Sequence, residues 1–168
     1  PLRDGKGTTF EGGQRVPFVI RGPSIPAGTV CNELTGTIDI LPTIAALIGT
    51  TLPKKKIDGL DVSGIWKGTV NQSPRNEFLY YTSRGAIEGI RSQNWKLLVK
   101  KPRARRRGNA SQSEGQPAQV LLFDLAADVG EQNNLAKTKP EIVKNLRARM
   151  EIIDAEITKN ARAPWVKN

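Results

Sequence analysis

Four short apolar runs between residues 78 and 125, followed by one long amphipathic stripe, constrain the fold of this chain more than any other feature of its sequence. Phe78-Leu79-Tyr80-Tyr81-Thr82, Ala86-Ile87-Glu88-Gly89-Ile90-Arg91, Trp95-Lys96-Leu97-Leu98-Val99-Lys100 and Val120-Leu121-Leu122-Phe123-Asp124-Leu125 are each of strand length and rich in aromatic and branched residues. Ser92-Gln93-Asn94 is short enough to close a hairpin between the second and third. Neighbouring strands joined by turns favour an antiparallel sheet, because a parallel pair needs a long crossover. Beyond them, Thr138 with Glu141 reads as a capping box, Pro140 falls in the first helical turn, and Ile142, Leu146, Met150, Ile153 and Ile157 recur along one helical face. A single apolar stripe needs something flat to cover, and the sheet supplies it.

The first part of the chain reads differently. Gly5-Lys6-Gly7 sets a lysine between two glycines, and Gly12-Gly13 follow closely. Glycine lets the backbone approach a ligand, and a lysine held there is a compact point charge able to meet sulfate or phosphate. Val16-Pro17-Phe18-Val19-Ile20 predicts a short buried strand. Asp39 is expected to cap a helix whose buried face is Leu41, Ile44, Ala45 and Ile48, with Gly49 ending it. Residues 50–76 read as connection. Asp58 and Asp61 lie in a turn there, but two carboxylates are too few for a calcium loop. The polar stretch Asn71-Gln72-Ser73-Pro74-Arg75-Asn76 is the expected domain boundary.

Composition narrows the chemistry. The 168 residues contain no histidine, which excludes a Ser-His-Asp triad and imidazole metal ligands within the chain. Cys31 is the single cysteine, so no internal disulfide forms, and it reads as a small apolar residue. There is no apolar run long enough to span a bilayer. The net charge of +10 is concentrated: Arg91, Lys96, Lys100, Lys101, Arg103, Arg105, Arg106 and Arg107 stand together without an acidic residue, and the rest of the chain nets only +2. The stretch 101–118 reads as a flexible basic loop, with no aromatic residue on which a base could stack, so no nucleic-acid partner is expected.

Taken in order, several stretches resemble the type I sulfatases. Gly5-Lys6-Gly7-Thr8-Thr9-Phe10-Glu11-Gly12-Gly13-Gln14-Arg15-Val16-Pro17 is similar to that family's glycine-flanked lysine, Glu-Gly-Gly and Arg-x-Pro. Thr37-Ile38-Asp39-Ile40-Leu41-Pro42-Thr43, Ile57-Asp58-Gly59, Ile90-Arg91-Ser92-Gln93-Asn94-Trp95-Lys96-Leu97, and Leu122-Phe123-Asp124-Leu125 through Gly130-Glu131 to Asn134-Leu135 follow in the family's order. The resemblance is to the C-terminal part of such an enzyme. It implies an alkaline-phosphatase-like α/β fold. Residues 1–75 would end the large α/β domain, and 76–168 would form a small domain of four antiparallel strands with one long packed helix.

The resemblance further implies hydrolysis of a sulfate ester by a formylglycine nucleophile with a calcium ion. Lys6 would be the catalytic and substrate-binding residue touching the sulfate oxygens, with Glu11 and Arg15 positioning its loop. Cys31 lacks the x-Pro-x-Arg that follows the family's modified cysteine, and Ser24-Ile25-Pro26-Ala27-Gly28 lacks the arginine. The formylglycine and the calcium ligands are therefore expected outside this chain, in an N-terminal part of the same protein. No metal ligand is assigned within it, and the chain alone is expected to be inactive. The expected partner is a sulfate-ester substrate, sulfated polysaccharide included, and the expected location is periplasmic or secreted by family analogy. The alternatives are a phosphate or phosphonate ester hydrolase of the same superfamily, or a basic polyanion-binding module centred on Arg103 to Arg107.

Overall fold

A computed structural model describes residues 2–101 and 117–161. The Arg103–Arg107 stretch, and with it the proposed polyanion module, lies outside the described residues. The chain divides into two compact units, Pro1–Val16 with Glu77–Ala155, and Pro17–Asn76 with Glu156–Asn168. One change of unit falls between Asn76 and Glu77. The first sixteen residues, however, pack with the sheet rather than with the segment that follows them.

In the first unit, β1 (Glu77–Tyr81), β2 (Ile87–Ser92), β3 (Trp95–Lys100) and β4 (Gln119–Asp124) form one antiparallel sheet in sequence order. The observed strands differ from the sequence reading by one residue at most ends, because each run is bounded by its own turn. The register places Tyr80 opposite Gly89, Gly89 opposite Leu98, and Leu98 opposite Leu121. These positions share one face, together with Phe78, Lys96 and Phe123. Phe10 packs on that face with Tyr80, Leu98, Leu121, Phe123 and Leu125. On the opposite face, Glu77 and Tyr81 flank Leu79 and reach the helix α4 (Pro140–Asn160): Arg149 pairs with Glu77 at 2.7 Å, and the Tyr81 hydroxyl donates to Asp154 at 2.8 Å. Leu146 and Met150 of α4 are buried, and Ile142, Ile153 and Ile157 are half-buried. The expected stripe is thus the inner face, centred on its middle residues.

The start of α4 corrects the capping-box expectation. The helix begins at Pro140, whose missing N–H suits the first helical position. Thr138 instead donates its hydroxyl to the Leu135 carbonyl at 3.1 Å. The polar turn before it is built by Asp128, whose carboxylate accepts the backbone N–H groups of Gln132 and Asn133. Asn134 then hydrogen-bonds along β4, accepting from Leu122 N–H and donating to the Val120 carbonyl.

In the second unit, a 3-10 turn (Thr37–Asp39) runs into α2 (Ile40–Leu47), and Ser63–Trp66 forms the short helix α3. Two expectations fail here. Residues 16–20 form no strand, and Val16, Phe18 and Val19 are exposed, Val19 to 92%. A strand needs a neighbouring backbone to bond, and among the described residues none pairs with this segment. The buried positions of α2 are Pro42, Thr43 and Ala45, while Leu41, Ile44 and Ile48 are exposed. Only Ala45 of the anticipated face is covered. Gly49 ends the helix with φ +69°, as its position requires. No helix among the described residues is long and apolar enough to cross a membrane.

Candidate functional site

The lysine singled out by sequence sits at the tip of a tight turn. Thr8 N–H donates to the Gly5 carbonyl at 3.2 Å, which makes Lys6 and Gly7 the central residues. Gly7 has φ +90°, the geometry that the third position of a type II turn demands. Asp4, just before, also takes a left-handed backbone with φ 54°. Lys6 is exposed, and it has no ion-pair or hydrogen-bond partner among the described residues.

The two stems of this turn are held to each other at close quarters. Gly12 N–H donates to the Arg3 carbonyl at 2.9 Å, and the Gln14 amide donates to the Thr8 carbonyl at 2.7 Å. A Cβ on Gly12 would lie 2.2 Å from the Asp4 carbonyl oxygen, and one on Gly13 would lie 2.4 Å from that of Thr8. These glycines are required by contact between backbones. They form the middle of the single helical turn α1 (Glu11–Gln14), whose first residue, Glu11, is buried beneath the loop.

Glu11 enters a buried ion cluster that joins the loop to the sheet. Lys96, on β3 and 0% exposed, places Nζ 2.7 Å from Glu11 Oε1 and 2.9 Å from Glu131 Oε1. The second contact is an ion pair whose angle does not make it a hydrogen bond. Glu131 Oε2 accepts the Glu11 backbone N–H at 2.7 Å, and the Glu131 carbonyl accepts from Arg3 Nη1 at 2.7 Å. Arg15 Nε donates to Glu11 Oε2, and Lys96 also lies 4.5 Å from the Tyr80 ring centroid. The Arg3 guanidinium stacks over Phe10, 4.1 Å from its centroid, while Thr9 donates its hydroxyl to Glu88. Arg3, Thr9, Phe10 and Glu11 thus each meet the sheet or the Glu131 turn.

Electrostatics follows this geometry. Burial alone would push the Glu11 carboxyl up, but the Lys96 charge and hydrogen bonds from Lys96 and Arg15 hold it below the ordinary carboxylate value. Burial, reinforced by the Glu11 charge, drives the Tyr80 phenol upward. Glu131 itself adopts φ 52°. Such backbone strain, about 1–3 kcal/mol at a non-glycine residue, persists only where surrounding contacts enforce it. Removing one partner from a buried ion pair strands the other at a cost of about 3–5 kcal/mol.

The second unit holds a separate buried pair. Asp39 does not cap α2 with its side chain; its carboxylate accepts the N–H groups of Gly36 and Leu60, each at 2.8 Å, and both nitrogens of the Arg75 fork. Burial raises the Asp39 carboxyl, and the Arg75 and backbone hydrogen bonds reverse that, leaving it below the ordinary value. Arg75 also donates to the Asp58 carbonyl at 2.9 Å, so the resemblance motifs at residues 37–43 and 57–59 meet through Arg75, which lies outside both.

Sequence reading placed Lys6 at the head of this arrangement and gave Glu11 and Arg15 a positioning role. It gave no role to Lys96 or Glu131, although both stand in stretches that carry the resemblance. Lys96 counted as one of a basic group; its alternation with the buried Leu98 along β3 was the available signal that it faces inward.

The family model for the C-terminal region of aryl-sulfatase matches residues 73–164. The chain is 35% identical over 172 residues to arylsulfatase A of Homo sapiens, an alignment covering 93% of this chain and 33% of that protein. It is 34% identical to steryl-sulfatase of Mus musculus, covering 92% of this chain and 27% of that one. Among solved structures, a Pseudoalteromonas sp. sulfatase superposes with TM-score 0.74 at 25% identity, over 97% of this chain and 34% of the other. A protein from glycosaminoglycan metabolism in Bacteroides thetaiotaomicron superposes with TM-score 0.76 at 27% identity, over 92% and 32%. The chain belongs to the aryl-sulfatase C-terminal region family, and its fold is that of the alkaline-phosphatase-like sulfatases. It spans about a third of the length of the relatives it matches.

Proposed function

We propose that the protein containing this chain hydrolyses sulfate esters and that Lys6 is its contact to the sulfate oxygens. The observation that carries this reading is the exposed, unpaired Lys6 at the tip of a turn whose base is clamped through Glu11, Lys96 and Glu131. A chain that only needed a surface turn there would not require two glycines in backbone contact and three buried charges beneath it. As the ester bond breaks, negative charge grows on the sulfuryl and leaving-group oxygens. A fixed ammonium beside them stabilises the transition state more than the ground state, because its position costs no reorganisation. The names of the relatives, arylsulfatase and steryl-sulfatase, support the ester class. One structural neighbour, 26% identical with TM-score 0.70, was solved in complex with k-i-k-neocarrahexaose, which supports extending the substrate class to sulfated polysaccharide.

Among the described residues, no three His, Cys, Asp or Glu side chains gather as a metal site, so they do not fit calcium binding. The calcium ion and formylglycine nucleophile implied by the resemblance are proposed to belong to other residues of the protein. An exported enzyme, periplasmic or secreted, completes the proposal.

The test is Lys6→Ala in the full-length protein, assayed with an aryl sulfate. Loss of one preorganised charge of this kind is expected to lower kcat/KM on the order of a hundredfold, with the circular-dichroism spectrum unchanged. An unaltered kcat/KM would overturn the assignment of Lys6. Faster turnover of the matching aryl phosphate than of the sulfate would transfer the reading to phosphate esters.

A further inference from the structure

We propose that Lys96 and Glu131 are positioning residues for Lys6: the two hold both stems of the lysine turn to the sheet and thereby fix where its ammonium stands. The inference rests on the reading of Lys6 as the sulfate contact and assigns the machinery that aims it.

The connections are specific to the stems. On the incoming stem, Arg3 reaches the Glu131 carbonyl at 2.7 Å and stacks on Phe10. On the outgoing stem, the Glu11 backbone N–H reaches the Glu131 carboxylate at 2.7 Å. One residue thus receives both ends of the turn, with its main chain and its side chain respectively. The stems also bond each other through Gly12 N–H and the Arg3 carbonyl at 2.9 Å. The turn between them therefore has little freedom except at Lys6 itself. Glu131 and Glu11 bring two carboxylates together out of water, and like charges there repel strongly. Lys96 lies within 3 Å of both and is fully buried, so it is the counter-charge that lets both stems stay seated. Arg15 faces only Glu11, on the solvent side, and does not reach Glu131 in the described contacts. Lys96 is too deep to touch substrate. Its effect on rate must pass through the lysine turn.

That dependence is measurable as non-additivity, since residues acting through one another give losses that do not multiply. The experiment is a double-mutant cycle on the full-length enzyme with Lys6→Ala, Lys96→Met and the double variant, assayed with an aryl sulfate. Lys96→Met is expected to lower kcat/KM tenfold or more when Lys6 is present, with the loss mainly in kcat, and by less than twofold when Lys6 is already alanine. Lys96→Arg, which keeps the charge, is expected to restore part of the loss. If Lys96→Met does not fold, Glu131→Gln takes its place in the same cycle; it keeps the size and one acceptor oxygen, which can still receive the Glu11 N–H, and removes the charge. Equal fold-losses in the two Lys6 backgrounds, or an unchanged kcat/KM in a folded Lys96→Met protein, would overturn the positioning role while leaving Lys6 as sulfate contact. Failure of both Lys96→Met and Glu131→Gln to fold would reduce the cluster to a stability element and overturn the role as well. A Lys6→Ala variant of full activity would instead remove the reading beneath it.

Discussion

Glu11 and Asp39 are carboxylates kept ionised inside protein by cations that were brought to them, Lys96 with Arg15 in one case and Arg75 in the other. Both carboxyls titrate below their ordinary values. The unfolded chain therefore binds these protons first as acid is added, and stability rises with pH across that range. Their contribution is complete above the unfolded values of about 4.3 for glutamate and about 3.9 for aspartate, and it is lost as pH falls through the depressed folded values. Thermal unfolding followed from pH 7 to pH 3 is expected to show Tm falling steeply below about pH 5. Glu11→Gln should start from a lower Tm at neutral pH and lose less on acidification; a parallel curve would refute the coupling. Residues such as these are the least legible part of a sequence. Glu11 and Glu131 stand 120 positions apart, and although both fall in stretches that carry the resemblance, nothing in either stretch shows that the two meet over one lysine. Lys96 differs only in keeping step with Leu98.

Elements were read well where their partners are sequence neighbours. The four strands pair in order, so each hairpin turn and each alternating run carried its own information. The segment 16–20 carried an equally good strand pattern, but propensity fits a pleated, half-buried surface, and no such surface adjoins it among the described residues. The α2 face was misjudged for a related reason: a 3.6-residue period fixes which residues share a face and says nothing of which face is covered. The lysine turn itself makes a sharp prediction. Gly12→Ala puts a methyl 2.2 Å from the Asp4 carbonyl oxygen and 2.5 Å from that of Arg3, both backbone atoms. Overpacking of this sort costs about 1–3 kcal/mol. Gly5, by contrast, has open space around the added carbon. Denaturant unfolding should therefore show a clear loss for Gly12→Ala and a change within about 0.5 kcal/mol for Gly5→Ala; equal effects would discount the backbone contact.

For the whole molecule, the described residues hold an exposed lysine on a clamped turn, and the formylglycine motif that the resemblance implies is not found in this sequence. Cys31 is exposed and stands in Cys-Asn-Glu-Leu-Thr, outside the motif the resemblance associates with formylglycine, and the chain has no histidine to serve as a base. The 168-residue chain prepared alone is expected to show no turnover of an aryl sulfate above the uncatalysed rate, whereas the full-length protein is expected, on the proposed function, to turn it over; measurable hydrolysis by the isolated chain would contradict this. The buried cluster has one more consequence, in the order of events during synthesis. The lysine turn leaves the ribosome well ahead of the glutamate that receives both its stems, which is 120 residues behind Glu11. At translation rates of about 5–20 residues per second, the interval is on the order of ten seconds. For that time the nascent turn has its glycines and its charge but no seat: the strands bring Lys96 first, and the Glu131 turn that follows them completes the seat just before the helix is made.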